Sequence, residues 1–114
     1  MRLRLRFSRL AVQDIEDVLA YTLAHFGQRR HEQYKMLIRQ ALADIAARPR
    51  APPAKHRPEI HADVRTFHIA RTGKHARHFF LYRVIEGQSI DIGRLLHDSM
   101  DLQRHLPEGF APED

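Results

Sequence analysis

"ARHFFLYRVIEGQSIDIGRLLHDSM", Ala76 to Met100, carries the architecture. His78 to Val84 is apolar at nearly every position, the composition of a central strand buried on both faces. Glu86-Gly87-Gln88-Ser89 then supplies a tight turn, and "SIDIGRLL" follows as a second strand, so the two pair antiparallel. Just upstream, "DVRTFHIAR" (63–71) sets Phe67 and Ile69 among basic neighbours and reads as a third strand, joined through a turn at Thr72-Gly73-Lys74-His75. Three strands on short turns form a meander. Downstream, "DSMDLQRHL" reads as a short final helix capped by Asp98 or Ser99, and 108–114 as a loosely ordered tail.

Before the meander, "RPRAPPAKHRP" (48–58) is too rich in proline to continue a helix and reads as an extended loop. Ahead of it lie two amphipathic segments. From Arg9 to His25, Ala11, Ile15, Val18, Leu19 and Thr22 share one helical face, with Ser8 as N-cap and Gly27 as the stop. From about Gln28 to Arg48, Tyr34, Leu37, Ile38, Ala41, Leu42 and Ile45 form a second stripe. Asp14 and Asp17 are expected on the solvated side of the first helix. At the N-terminus, "RLRLRFS" alternates Leu3, Leu5 and Phe7 with Arg2, Arg4 and Arg6, the period of a half-buried strand. The order β-α-α-β-β-β-α predicts an α+β fold: a helical hairpin packed on a mainly antiparallel four-stranded sheet, one domain spanning 1–107.

The chain has 114 residues, no cysteine and a formal charge of +5, carried by 16 Arg against 3 Lys. Without cysteine there is no disulfide framework and no thiolate metal site, which fits a cytoplasmic protein. No apolar run approaches membrane-span length, and "MRLRLRF" lacks the continuous apolar segment of a secretory signal. The arginine bias has two readings of equal weight: a GC-rich genome, or an anionic partner that guanidinium groups bind bidentately.

His97, Asp98 and Ser99 are the three residue types of a hydrolytic triad, yet consecutive side chains point in different directions and no G-x-S-x-G turn frames Ser99. His97 is expected to hydrogen-bond at the strand end instead. Nine histidines invite a metal, with His75-x-x-His78 and His68 the nearest grouping, but Lys74 and Arg77 would repel a cation there. No metal and no cofactor is expected. Arg94, among Ile92, Leu95 and Leu96, is expected to be partly buried and paired, with Asp98 or Asp101 as partner.

"FSRLAVQDIEDVLAYTLAHFG", followed later by "HFFLYRV" and "IDIGRLLHDSMDLQRHLP", resembles the ParE toxins of bacterial type II toxin–antitoxin systems. Their pattern is a strand, Ser, Ala-x-x-Asp-Ile, Tyr and Phe-Gly, then a Tyr-Arg strand, an isoleucine-rich strand, Arg-x-Leu-His, Met-Asp and His-Leu. The likeness runs from Leu3 to Pro107; the Pro/Arg-rich loop and the longer tail depart from it. It implies a RelE-like fold and a growth-inhibiting toxin serving plasmid or genome maintenance. It further implies DNA gyrase as target, a ParD-like antitoxin as partner in a hetero-oligomer, and contact with DNA only through that antitoxin. The closing motif would carry target contacts at Arg94, His97, Met100, Arg104 and His105.

The sister RelE branch cleaves messenger RNA on the ribosome, which makes a ribonuclease the alternative. Positions where that branch has basic residues fall near Phe79 and Asp98 here, the wrong chemistry for holding a phosphate; His78, His97 and Arg83 would have to serve instead. A binding protein rather than an enzyme is therefore expected. Alternation predicts a sheet face left open opposite the helices, where Arg65, Phe67, Arg71, Arg77 and Arg83 would receive an acidic antitoxin segment.

Overall fold

The computed structural model describes residues 3–71, 73–107 and 110. Its elements are β1 (Arg4–Phe7), α1 (Arg9–Ala47), β2 (Lys55–His56), β3 (Val64–His68), β4 (His78–Ile85), β5 (Ser89–His97) and a final 3-10 turn (Leu102–His105). The strands form one sheet in the order β1-β5-β4-β3-β2. β1 runs parallel to β5; the other neighbours are antiparallel.

The two expected helices are present as a single helical segment broken at Gly27, whose φ of 86° and ψ of 174° lie outside the helical region. A positive φ is cheap only for glycine, so the sequence stops the first arm there. A straight helix of 39 residues would be about 58 Å long, more than the molecule's longest extent of 43 Å, so the arms fold back. Both ends of the segment meet the middle of the sheet. Ser8 donates its backbone N–H to the Ile92 carbonyl, and the Pro49 carbonyl accepts from Tyr82 Oη at 2.6 Å, on the strand residue paired with Ile92. The far tip reaches the β3–β4 connection, where Arg30 donates to the His75 carbonyl at 2.7 Å. Ser8 is the expected N-cap: its Oγ accepts from Ala11 N–H at 2.9 Å and donates to the Gly93 carbonyl at 2.7 Å.

Alternation along the strands sorts the apolar residues into two cores. Phe67, Ile69, Phe80, Tyr82, Val84, Ile90, Ile92 and Leu95 pack beneath both helical arms, against Ala11, Tyr34, Leu37, Ile38, Ala41 and Ile45. Val64, Leu81 and Leu96 face the other way.

Several expectations require correction. The sheet has five strands, because Lys55 and His56, read as loop, add a short edge to β3. Proline at 52, 53 and 58 confines that pairing to two residues. The face opposite the helices is not open: Ile60, Leu102, Leu106 and Phe110 cover it, together with partly buried Phe79. The final helix is only a four-residue 3-10 turn, since the polypeptide first turns at His97–Met100 and Pro107 stops it. Phe110, assigned to a loose tail, is buried; Glu108, Gly109 and 111–114 lie outside the described residues, as does Thr72 of the expected turn. Phe7, expected on the buried side of β1, is exposed. Gly93 shows how the second core closes. The β4–β5 register shifts there, and a Cβ on Gly93 would stand 2.7 Å from Pro107 Cγ and 3.0 Å from Phe110 Cζ.

Candidate functional site at the strand ends

The ends of β3 and β5 and the start of β4 meet beside the helical tip. The register pairs His78 with His97 and His68 with Phe79, which brings three histidines to one margin of the sheet. The His78 and His97 rings stand edge to face, 5.2 Å apart. Asp98, one residue beyond β5, accepts from His68 Nε2 at 3.1 Å and from Arg77 Nε at 3.0 Å. The His68 hydrogen bond, then the Arg77 guanidinium, hold its carboxyl below the usual range.

Tyr34 links this margin to the helices. Its hydroxyl accepts from the Arg77 backbone N–H at 3.0 Å and lies 2.6 Å from His78 Nδ1. Tyr34 Oη has one proton to donate, and with His78 Nδ1 as its acceptor the imidazole proton stands on Nε2. Burial, with His97 second, pushes the His78 pKa down to about 4, so the ring is neutral near pH 7. His97 is pinned in the same tautomer: its Nδ1 accepts from Ser99 N–H at 3.1 Å and lies 2.7 Å from Ser99 Oγ.

This arrangement disposes of a His97-Asp98-Ser99 triad. A triad needs the serine on one ring nitrogen and the carboxylate on the other. Here Nδ1 faces both, Ser99 Oγ at 2.7 Å and Asp98 Oδ1 at 3.8 Å. His97 fastens a turn at the strand end, as expected.

A cleft of about 320 Å³ opens above the two histidines, lined by Tyr21, Thr22, Phe26, Arg30, Tyr34, Arg77, His78 and His97. Tyr21 and Phe26 are among the most exposed large apolar side chains, at 58% and 65%. His25 stacks on Tyr21 with ring centroids 3.9 Å apart. Arg30 lies over the Tyr34 ring at 5.2 Å.

The residues expected to receive an antitoxin do not form one surface. Arg77 is well exposed at the cleft, and Arg71 sits in the β3–β4 turn, paired with Asp44. Phe67 is buried in the core beneath the helices, so it offers no exposed anchor. Arg65 is half-buried next to Tyr82 in the register, and its Nε is buried without a hydrogen-bond partner among the described residues. Arg83 belongs to the opposite face, where it lies over the Phe110 ring at 5.7 Å.

Of the residues expected to touch a target, Met100 and Arg104 are exposed and His97 lines the cleft. The His105 carbonyl lies 3.3 Å from Arg94 Nη1. Arg94 is partly buried and paired, but with Asp14 rather than Asp98 or Asp101. Its Nε and Nη2 reach the two Asp14 carboxylate oxygens at 2.7 and 2.9 Å, and Leu95 N–H adds 3.0 Å. Asp14 is thus not on the solvated face. A signal was present, since Asp14 stands three residues after buried Ala11 and four before Val18, on the apolar stripe.

For acid–base work the cleft is poorly set. Neutral His78 is a weak acid, and its Nδ1 is occupied by Tyr34; His97 Nδ1 is occupied by Ser99. Arg83, the cation a ribonuclease would need, pairs with Val64 and Asp91 several rungs away. Among the described residues no group of three or more His, Cys, Asp or Glu side chains is placed to hold a metal ion. None of the described helices is long and apolar enough to cross a membrane.

Comparison with known proteins adds the family. The family described as "ParE toxin of type II toxin-antitoxin system, parDE" matches residues 5–102. Among solved structures, "Chromosomal ParDE TA system from P. aeruginosa" aligns with a TM-score of 0.65 at 19% identity, covering 84% of this chain and 96% of that one. At that identity the likeness is one of fold. No curated protein sequence matches.

Proposed function

The chain belongs to the ParE toxin family of type II toxin–antitoxin systems, and from that premise we propose that it arrests bacterial growth by poisoning DNA gyrase until a ParD-like antitoxin neutralises it. The observation that carries this reading is the extent of the family match, which takes in both helical arms, β1 from Leu5, the other four strands and the closing motif as far as Leu102. In this reading it is a cytoplasmic binding protein that works without a cofactor and reaches DNA only through the antitoxin.

The antitoxin segment is assigned to the helical tip and the β3–β4 turn, where charge and apolar surface coincide. Met36 is 62% exposed in a cleft of about 460 Å³ shared with Arg29, Glu32, Gln40 and Lys74, where two cations face one carboxylate, and Arg71 and Arg77 flank that turn. An acidic amphipathic segment gains steering from the cations and an anchor from the apolar groups. For the target, the exposed pair Met100 and Arg104 takes the place first given to the whole closing motif.

Induction of the chain alone in a bacterial host is expected to stop growth, and co-expression of an acidic antitoxin encoded beside it to restore growth and co-purify as a complex. Message cut at codon boundaries in a translating extract would favour the ribonuclease; intact message with growth arrest fits the gyrase reading.

A further inference from the structure

We propose that the strand-end cleft binds a nucleoside phosphate, its base stacked on Phe26 with Tyr21 at its edge and its phosphate held by Arg77, Arg30 and the Nε2–H groups of His78 and His97. This binding is distinct from the toxin's action on its target, and no cleavage is attached to it.

The walls argue for a flat ring. Tyr21 and Phe26 stand at the mouth with ring centroids 6.2 Å apart and planes inclined by 59°, and both are more than half exposed. His25 already stacks on one face of Tyr21, which leaves Phe26, 65% exposed, as the more available ring. Large exposed aromatics at a cleft mouth are the feature on which single nucleobases stack.

The floor argues for an anion. His78 and His97 each commit Nδ1 as an acceptor, to Tyr34 and to Ser99, which leaves each ring an Nε2–H donor. Arg77 spends Nε on Asp98 and retains two Nη groups with no acceptor among the described residues. Arg30 uses Nη2 on the His75 carbonyl and Nη1 weakly on Gln33, and keeps its charge over the Tyr34 ring. A floor this rich in donors suits a ligand rich in acceptors, and arginine matches a phosphate in geometry as well as charge. The volume of about 320 Å³ is at the small end of ligand sites, the scale of one nucleotide. The phosphate ester comes either free or as one residue of a single strand, and the two sources share this chemistry.

The test is titration of the full chain with UMP and AMP, with a four-nucleotide single strand, and with inorganic phosphate and an acidic peptide as controls, following the histidine ring resonances by NMR. The expected result is displacement of the His78 and His97 signals by a nucleotide with Kd of about 1 mM or tighter. Phe26→Ala and Arg77→Ala, both at exposed positions, should each weaken it about tenfold, the loss of one stacking or charged contact. A strand that binds more tightly than the mononucleotides identifies polynucleotide as the source; equal affinities identify the free nucleotide. No displacement overturns the proposal; equal displacement by phosphate alone, with Phe26→Ala without effect, leaves an adventitious ion only and overturns it as well. Binding of the acidic peptide where nucleotides fail overturns it in favour of a protein ligand.

Discussion

Two arginine–aspartate pairs flank the end of β5, and they differ in almost everything but composition. Arg94 and Asp14 are 17% and 14% exposed, meet through two hydrogen bonds, and share the carboxylate with a backbone N–H. Arg77 is 68% exposed and meets Asp98 through one guanidinium nitrogen, with His68 on the same carboxylate. The first pair joins the first helical arm to the sheet and leaves little capacity for anything else. The second holds a surface turn loosely and keeps donors in reserve beside an aromatic cleft. Burial, more than residue type, separates architecture from a binding site here.

The largest effect is expected at the buried pair. Asp14→Ala strands the Arg94 guanidinium and the Leu95 N–H, and should cost about 3–5 kcal/mol of stability in urea unfolding. Next comes Gly93→Ala, whose new methyl meets Pro107 and Phe110; it should cost about 1–3 kcal/mol, with hydrogen exchange quickened first across 102–107. Tyr34→Phe leaves the Arg77 N–H and His78 Nδ1 without their shared hydroxyl, and should cost about 1–2 kcal/mol while altering the His78 ring signals. Asp98→Asn, at the exposed pair, should leave the melting temperature close to that of the parent, because an exposed ion pair contributes little. A loss as large as that of Asp14→Ala would erase the distinction between the two pairs.

The histidine margin should show itself in pH dependence, through the burial of His78. His78 titrates near 6.5 when unfolded and at about 4 when folded, so between those values the unfolded chain binds more protons. Stability is therefore expected to fall as pH drops from about 6.5 toward 4. Asp98, whose carboxyl is held low by His68 and Arg77, adds a loss of the same sign at lower pH. His78→Gln should flatten the upper part of the curve in thermal melts taken at successive pH values.

The meander, the two helical arms and the break at Gly27 were legible because each rests on local signals: periodicity, a cap and an obligatory glycine. Ser8 was readable as a cap for the same reason. Lys55 and His56 were not readable as a strand, because two residues among prolines carry no period. The covered face was not legible because Leu102, Leu106 and Phe110 lie on and after a single 3-10 turn, too short to carry a period, whose docking depends on Gly93 lying bare beneath it. Arg94 was read correctly as paired, but its partner stands 80 residues away in sequence. Phe67 was placed on the wrong face, since a strand with basic residues on both sides gives alternation no polarity. Tyr34, the hinge of the cleft, looked like one more core aromatic until its hydroxyl had to find partners.

The most direct test of the central claim is the supercoiling of relaxed plasmid by purified gyrase in the presence of the folded chain. The account predicts a dose-dependent loss of supercoiling or accumulation of cleaved DNA, relieved when the cognate antitoxin is added in equal amount. Unchanged supercoiling at saturating toxin, with folding verified by circular dichroism, would contradict it.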